Sequence, residues 1–177
     1  MYIFLFKSGR SLAHGNAHIL LKNTKELFGF IPSNVKSISL EQGQDLIVLA
    51  KEGETWMINP PPLTDGQSSM ADAAKVLTLL GKIASLRGEG FFDTDKEAKI
   101  SGWGAPIFQV KLGLEGLAEE GAFYSDPNEP DSVYVVTTPK SPIYKVSTDR
   151  LDEINQPIAY FMPEEKQEPV DKDKESD

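Results

Sequence analysis

Three acidic side chains alternate along the chain at Asp93, Asp95 and Glu97, and this spacing could support cation chemistry. A calcium-binding loop supplies its oxygen ligands from alternate positions in the same way. Here the sixth position of such a loop is Ala98 rather than glycine, and the twelfth is Gly104 rather than a bidentate glutamate. We interpret the three acids as a candidate cation or ligand site, with helix capping by Asp93 or Asp95 as the simpler alternative.

Aromatic side chains form the second candidate site. Trp103 and Trp56, together with Tyr144, could line a ligand groove, and Trp103 stands between two glycines, which favours its exposure. The alternative is that these rings fill the space between a helix and a sheet.

Two histidines, His14 and His18, stand four residues apart, a spacing that places two imidazoles on one helical face. Gly15 and Asn16 between them disfavour a helix, and no glutamate is placed to act as a general base. A solvated loop is the simpler interpretation. The chain also lacks a phosphate-binding glycine loop and a Gly-x-Ser-x-Gly nucleophile motif. We therefore expect no catalytic residues and no cofactor.

Composition narrows the class of partner. The 177 residues carry a net charge of -9 and no cysteine, which excludes disulfides and thiolate chemistry. Residues 163–177 contain seven acids against three lysines, and this acidic tail is predicted to be disordered. The rest of the chain remains mildly acidic, so binding to a nucleic-acid backbone is not expected.

The predicted elements are those of a single α+β domain over residues 27–162. Alternating or β-branched runs predict strands at residues 35–40, 46–50, 55–58, 107–112, 122–125, 132–137 and 143–146. Turns at Gly43 and Gly53 make the first three an antiparallel meander. Apolar residues at the helical period predict one main amphipathic helix from an N-cap at Ser69 to about Gly88, packed across antiparallel sheet.

Shorter elements complete this prediction. A helical turn is predicted at residues 95–101, a loop or hairpin connection at 113–121 and a closing helix at 147–154. Residues 155–162 are predicted to pair at a sheet edge. Residues 1–26 form an N-terminal segment, in which the apolar run 2–6 is shorter than the roughly 20 residues that a membrane helix needs.

Several of these features follow one another in the order found in one protein family. They are Leu27 and Phe28, residues 35–38, a hairpin ending in Trp56, Pro60, Ala71 and Asp72 opening a helix with Leu79, Leu80 and Leu86, residues 102–106 around Trp103, the strand 108–112, residues 144–146 and Leu151. The chain thereby resembles the bacterial domain-of-unknown-function family 4340, whose members are similar to auxiliary proteins of gliding-motility-type ABC transporters.

The resemblance implies a domain held outside the cytoplasmic membrane by an N-terminal helix, with no established activity. Residues 2–6 would then be the remnant of that anchor, and a longer loop separates Pro60 from Ala71 than in the family. We expect a non-enzymatic, periplasmic or extracytoplasmic binding or scaffolding domain with protein partners in the cell envelope, such as an ABC transporter. Two alternatives stay open: a cation-dependent ligand-binding protein or enzyme that uses the acids between Asp93 and Glu97, and a cytoplasmic protein if Met1 is the native start.

Overall fold

A computed structural model of the chain describes residues 25–59, 69–88, 90–92, 96–137 and 142–163. Its strands are β1 (Lys25–Glu26), β2 (Ser37–Gln42), β3 (Asp45–Glu52), β4 (Thr55–Ile58), β5 (Ser69–Met70), β6 (Arg87–Gly88), β7 (Gly90–Phe92), β8 (Phe108–Gly113), β9 (Ala118–Ser125), β10 (Ser132–Val136) and β11 (Ile143–Ser147). Its helices are α1 (Ala73–Ala84), α2 (Lys96–Trp103), α3 (Thr148–Ile154) and α4 (Ile158–Phe161), and Pro32–Asn34 form a 3-10 turn.

Nine of the strands form one antiparallel sheet in the order β5-β4-β3-β2-β8-β9-β10-β11-β7. The remaining pair, β1 and β6, forms a separate two-stranded ribbon. Strands that follow one another in the chain are neighbours in most of the large sheet, which is the pattern of α+β proteins. The predicted fold class and the β2–β3–β4 meander are confirmed, and Gly43 and Gly53 both adopt a φ of 61° in its two turns.

The two faces of the sheet carry different side chains. The inner face is built from large apolar residues that are almost fully buried: Ile38, Leu40, Leu49, Trp56, Ile58, Phe108, Val110, Leu112, Phe123, Val133, Val135, Tyr144 and Val146. Because side chains alternate between faces, the residues between them point to the outer face. Among these outer residues are Ser37, Ser39, Glu41, Ala50, Gln109, Lys111, Glu120 and Ala122.

Helix α1 covers the inner face, as the amphipathic pattern predicts. Its side chains Val76, Leu79, Leu80 and Ile83 are buried in the same apolar cluster as the inner face of the sheet. Burial of each such side chain contributes about 1.5–3 kcal/mol. Helices α3 and α4 pack beside α1 and complete the core through Leu151, Ile154 and Phe161.

Polar contacts fix α1 against its two neighbouring helices. The amide of Asp72 donates to the carbonyl of Phe161 at 2.8 Å, and Lys75 Nζ donates to the carbonyl of Met162 at 3.3 Å. At the other end of α1, Lys82 Nζ donates to the carbonyl of Glu153 at 3.4 Å. These carbonyls lie at the C-terminal ends of α3 and α4, where helices leave acceptors without intrahelical partners.

Three predictions of local structure are wrong. The N-cap of α1 is Asp72 rather than Ser69, because its carboxylate accepts from the amides of Ala74 and Lys75 while Ser69 pairs with β4. Helix α1 ends at Ala84 rather than near Gly88, because Arg87 and Gly88 form β6 and pair with β1. The hairpin alternative predicted for residues 113–121 is confirmed, since β8 and β9 pair as far as Gly113 and Ala118. Residues 158–161 form α4 rather than an edge strand, since Phe161 completes the core beside α1.

Candidate functional site

A broad concave surface lies on the outer face of the sheet, between α2 and strands β2, β8, β9 and β10. This surface, here called the outer groove, encloses about 520 Å³. It is lined by Ser39 and Glu41 of β2, residues 109–111 of β8, residues 120–122 of β9, Val136 and Thr137 at the end of β10, and Lys96, Glu97 and Ile100 of α2. Its volume lies within the range of roughly 300–1,000 Å³ typical of ligand sites.

Small side chains make the floor of the outer groove shallow and flat. Ala122 lies opposite Gln109 of β8 on one side and opposite Val136 of β10 on the other. One row along, Ser39 lies opposite Lys111, which in turn lies opposite Glu120. The groove therefore runs across four strands, perpendicular to the strand direction. Residues that are neighbours along it come from different strands, not from one continuous stretch of sequence.

Charged side chains of both signs line the groove. Lys111 Nζ lies 2.6 Å from Glu120 Oε1, and each of these side chains is 59% exposed. Such a solvent-exposed ion pair contributes little to folding, about 0–1 kcal/mol. Glu41 and Glu97 add two carboxylates and Lys96 adds one ammonium, so the lining has both donors and acceptors for a polar partner.

A cluster of aromatic and acidic side chains fixes the helical wall of the groove. Trp103, the last residue of α2, stacks on Tyr134 with ring centroids 4.4 Å apart and an interplanar angle of 16°. Its indole Nε1 donates to Asp126 Oδ2 at 3.2 Å, and its ring lies 6.1 Å from the ring of Tyr124. We call Trp103, Tyr124, Tyr134, Asp126 and Glu129 the aromatic clamp.

Hydrogen bonds keep the carboxylates of the clamp ionised. The backbone amide of Asn128 and then the Trp103 indole donate to Asp126, and they hold the pKa of this carboxyl below its ordinary value. Glu129 accepts from Lys145 and then from the Tyr134 hydroxyl, and these bonds lower its pKa. Burial, followed by the bond to Glu129, raises the pKa of Tyr134 to about 12.

The three predicted ligand-binding aromatics do not come together around one surface. Trp103 is half-buried at the end of α2, on the outer side of the sheet. Trp56 and Tyr144 are 3% and 8% exposed on the inner face. Tyr144 also packs so closely on Gly88 that a Cβ added there would lie 2.8 Å from its ring. The structure therefore gives Trp56 and Tyr144 packing roles, and their ligand role stays a prediction.

Only one of the predicted metal-binding residues can be placed. Glu97 is exposed in the first turn of α2 and lines the outer groove. Asp93 and Asp95 lie outside the described residues, as do His14 and His18. Among the residues that the structure does describe, no three His, Cys, Asp or Glu side chains are grouped closely enough to hold a metal ion.

Most residues of the outer groove were missed by sequence analysis. Glu41, Gln109 and Ala122 belong to three strands, and only their register brings them together. The alternation of each strand places these residues on a polar face, but it gives no signal of which residues meet across strands.

The fold and the groove define a class of protein: an α+β domain with a covered inner face and a concave, polar outer face. No protein-family model, curated protein or solved structure matches the chain. In the described part of the chain, every helix is too short or too polar to cross a membrane.

Proposed function

We propose that the chain is a non-enzymatic binding or scaffolding domain that holds a protein partner in the outer groove. The observation that carries this proposal is the groove itself, an open concave surface of about 520 Å³ with a fixed helical wall. A shallow floor with a mixed polar rim resembles the surface of a non-obligate protein interface more than an enclosed reaction chamber.

The most strongly perturbed ionisable groups support binding rather than catalysis. Asp126, Glu129 and Tyr134 have shifted pKa values, which often mark reactive groups. Here the shifts have structural causes. The Asn128 amide and the Trp103 indole lower the pKa of Asp126, Lys145 and then Tyr134 lower that of Glu129, and burial raises that of Tyr134, so both carboxylates are held in the charged form. The three groups thus serve to position α2, and with it the wall of the groove.

The cell envelope is the proposed location of this binding. The resemblance to family 4340 supports an extracytoplasmic domain, joined to the membrane by an N-terminal anchor, with an ABC transporter complex as its partner. A mildly acidic surface suits partners other than nucleic acid, because no basic stripe is available to neutralise phosphates.

Site-specific photo-crosslinking in the native cell tests the proposal. A photoreactive amino acid at Gln109, on the groove, should crosslink to one membrane-complex protein, and Ala122→Arg should abolish that crosslink by filling the floor. The matched control is the same amino acid at Glu54, whose side chain is 98% exposed on a distant turn. Equal crosslinking from both positions, or a crosslink that survives Ala122→Arg, would contradict the proposal.

The rival function is a cation-dependent ligand-binding protein or enzyme. The position of Glu97 in the outer groove, which Glu41 and Glu120 also line, favours this candidate. A thermal-shift titration of the full chain with calcium, magnesium and manganese separates the two functions. A specific stabilisation that both Glu97→Ala and Asp95→Ala abolish would favour the rival, and the same small response in all three proteins would favour the binding domain.

A further inference from the structure

A second cavity lies at the opposite side of the sheet from the outer groove. It encloses about 390 Å³ between the β2–β3 hairpin and the link that joins α3 to α4. Leu40 and Phe108 of the inner face form its base, so the cavity is an open end of the apolar core. We call it the amide pocket, because its rim carries the carboxamides of Gln42, Gln44 and Asn155.

The three rim carboxamides have no hydrogen-bond partner among the described residues. Gln156, which also lines the pocket, shows the contrast: its Nε2 donates to the carbonyls of Asp152 and Glu153. Gln42, Gln44 and Asn155 make no comparable side-chain bond to any described residue. Each carboxamide therefore presents a donor and an acceptor side by side at the mouth of the cavity.

The other residues that line the amide pocket make it a poor site for charged ligands and for sugars. Among the described residues that line the pocket, Asp45 is the one ionisable side chain. Phe108 is the one aromatic side chain among the described lining residues, and at 1% exposure its ring offers no face on which a sugar could stack. The accessible apolar lining is aliphatic, with Ile47 and Ile158 both half-buried and packed against the core at the mouth.

We propose that the amide pocket binds an extended, uncharged peptide segment that inserts one aliphatic side chain. The side chain would lie against Ile47 and Ile158, and the peptide groups on either side of it would bond to the rim. A carboxamide matches a peptide group because both offer one N–H donor beside one carbonyl acceptor. This site is separate from the outer groove, so its occupancy can be tested whether or not the groove binds a partner.

The test is a titration of the full, isotopically labelled chain with the blocked tripeptide acetyl-Ala-Leu-Ala-amide, followed by amide NMR. Side-chain amide signals of Gln42, Gln44 and Asn155 should shift together, with a dissociation constant in the millimolar range expected for so small a probe. Asn155→Ala should weaken binding about threefold to tenfold, the loss expected for one hydrogen bond. Gln109→Ala, which removes a carboxamide from the outer groove instead, should leave the affinity unchanged.

Three results would overturn the proposal. One is the absence of any shift in the three rim signals at about 20 mM peptide, a concentration well above the dissociation constant expected for the probe. Another is a set of shifts that map to the outer groove and respond to Gln109→Ala but not to Asn155→Ala. The third is a stronger response of the same rim signals to a neutral trisaccharide than to the tripeptide, which would make the ligand a sugar.

Discussion

The two faces of the nine-stranded sheet carry side chains of different size and polarity. The inner face presents large aliphatic and aromatic residues, all closed over by α1, α3 and α4. The outer face presents serine, alanine and charged residues at the matching positions and is covered at one end by the eight-residue helix α2. Large apolar surface is the main source of folding free energy, so the inner face determines the fold and the outer face is left available for recognition.

The largest difference between the faces should appear when a charge is placed in α1. Leu80 is 0% exposed in the core, whereas Leu77 on the same helix is 51% exposed. An unpaired carboxylate in the core costs a large part of the 5–15 kcal/mol that typically stabilises a domain. We expect Leu80→Asp to abolish the cooperative thermal transition and Leu77→Asp to change stability by less than about 0.5 kcal/mol. A soluble, cooperatively melting Leu80→Asp protein would show that α1 does not cover the inner face.

A smaller difference in stability should separate two glycine-to-alanine substitutions, one on the inner face and one in α2. A Cβ added at Gly121 would lie 2.5 Å from Phe28 Cζ, whereas one added at Gly102 in α2 would meet no atom within 4 Å. We expect Gly121→Ala to destabilise the protein by about 1–3 kcal/mol through overpacking. Gly102→Ala should be neutral or stabilising by up to about 1 kcal/mol, because alanine favours a helix. Chemical denaturation of both variants measures the difference, and equal effects would mean that Phe28 does not occupy the inner face beside β9.

The aromatic clamp should respond to pH at both ends of the scale. The pKa values of Asp126 and Glu129 lie below their ordinary values of 3.8 and 4.5, so the folded chain binds fewer protons than the unfolded chain near that pH. Their contribution is therefore present at neutral pH and is lost as pH falls through about 4 and below. The pKa of Tyr134 is raised from 10.0 to about 12, so its contribution is present below pH 10 and is lost as pH rises toward 12.

Trp103 emission reports this response once the second tryptophan is replaced by Trp56→Phe. We expect the emission to change as the pH falls below about 4, before the core unfolds. Asp126→Asn in the same background should reduce the acid change, because one of the two titrating carboxylates is gone. An emission that stays constant until global unfolding would show that the clamp does not depend on ionised Asp126 and Glu129.

The smallest effect should come from the exposed ion pair on the floor of the outer groove. Lys111 and Glu120 are 2.6 Å apart, but both side chains are 59% exposed. A double-mutant cycle with Lys111→Met and Glu120→Gln should give a coupling free energy of at most about 1 kcal/mol, and less in high salt. A larger coupling energy would mean that the pair is desolvated and that the outer face is less open than the structure shows.

The inner face was largely predictable because its signals are local. The helical period around Leu80 and the turn at Gly53 each lie within a few residues, and both predictions are confirmed. Both ends of α1 and the structure of residues 158–161 were predicted wrongly, because contacts with distant elements decide them. Asp72, for example, bonds through its amide to Phe161 in a helix far along the chain.

The outer groove was not predictable from sequence, because it follows the register of strands that are far apart in the chain. Glu41 and Gln109 are neighbours only through the pairing of β2 with β8. The predicted aromatic site combined residues from both faces of the sheet. Sequence alone does not distinguish Trp56 from Trp103, but Trp56 is buried on the inner face and Trp103 lies on the outer side. The domain boundaries near residues 26 and 163, the envelope location and the family stay predictions.

Thiol labelling tests most directly whether the outer face is a binding surface. The chain has no cysteine, so a single Ser39→Cys on the groove floor and a single Glu54→Cys on the exposed turn each report one position. We expect both purified variants to react readily with a maleimide. In native cells the reaction of Ser39→Cys should slow by about fivefold or more, and that of Glu54→Cys should be unchanged. If the two positions react in cells at the same ratio as in the purified protein, the groove holds no partner and the proposed function is wrong.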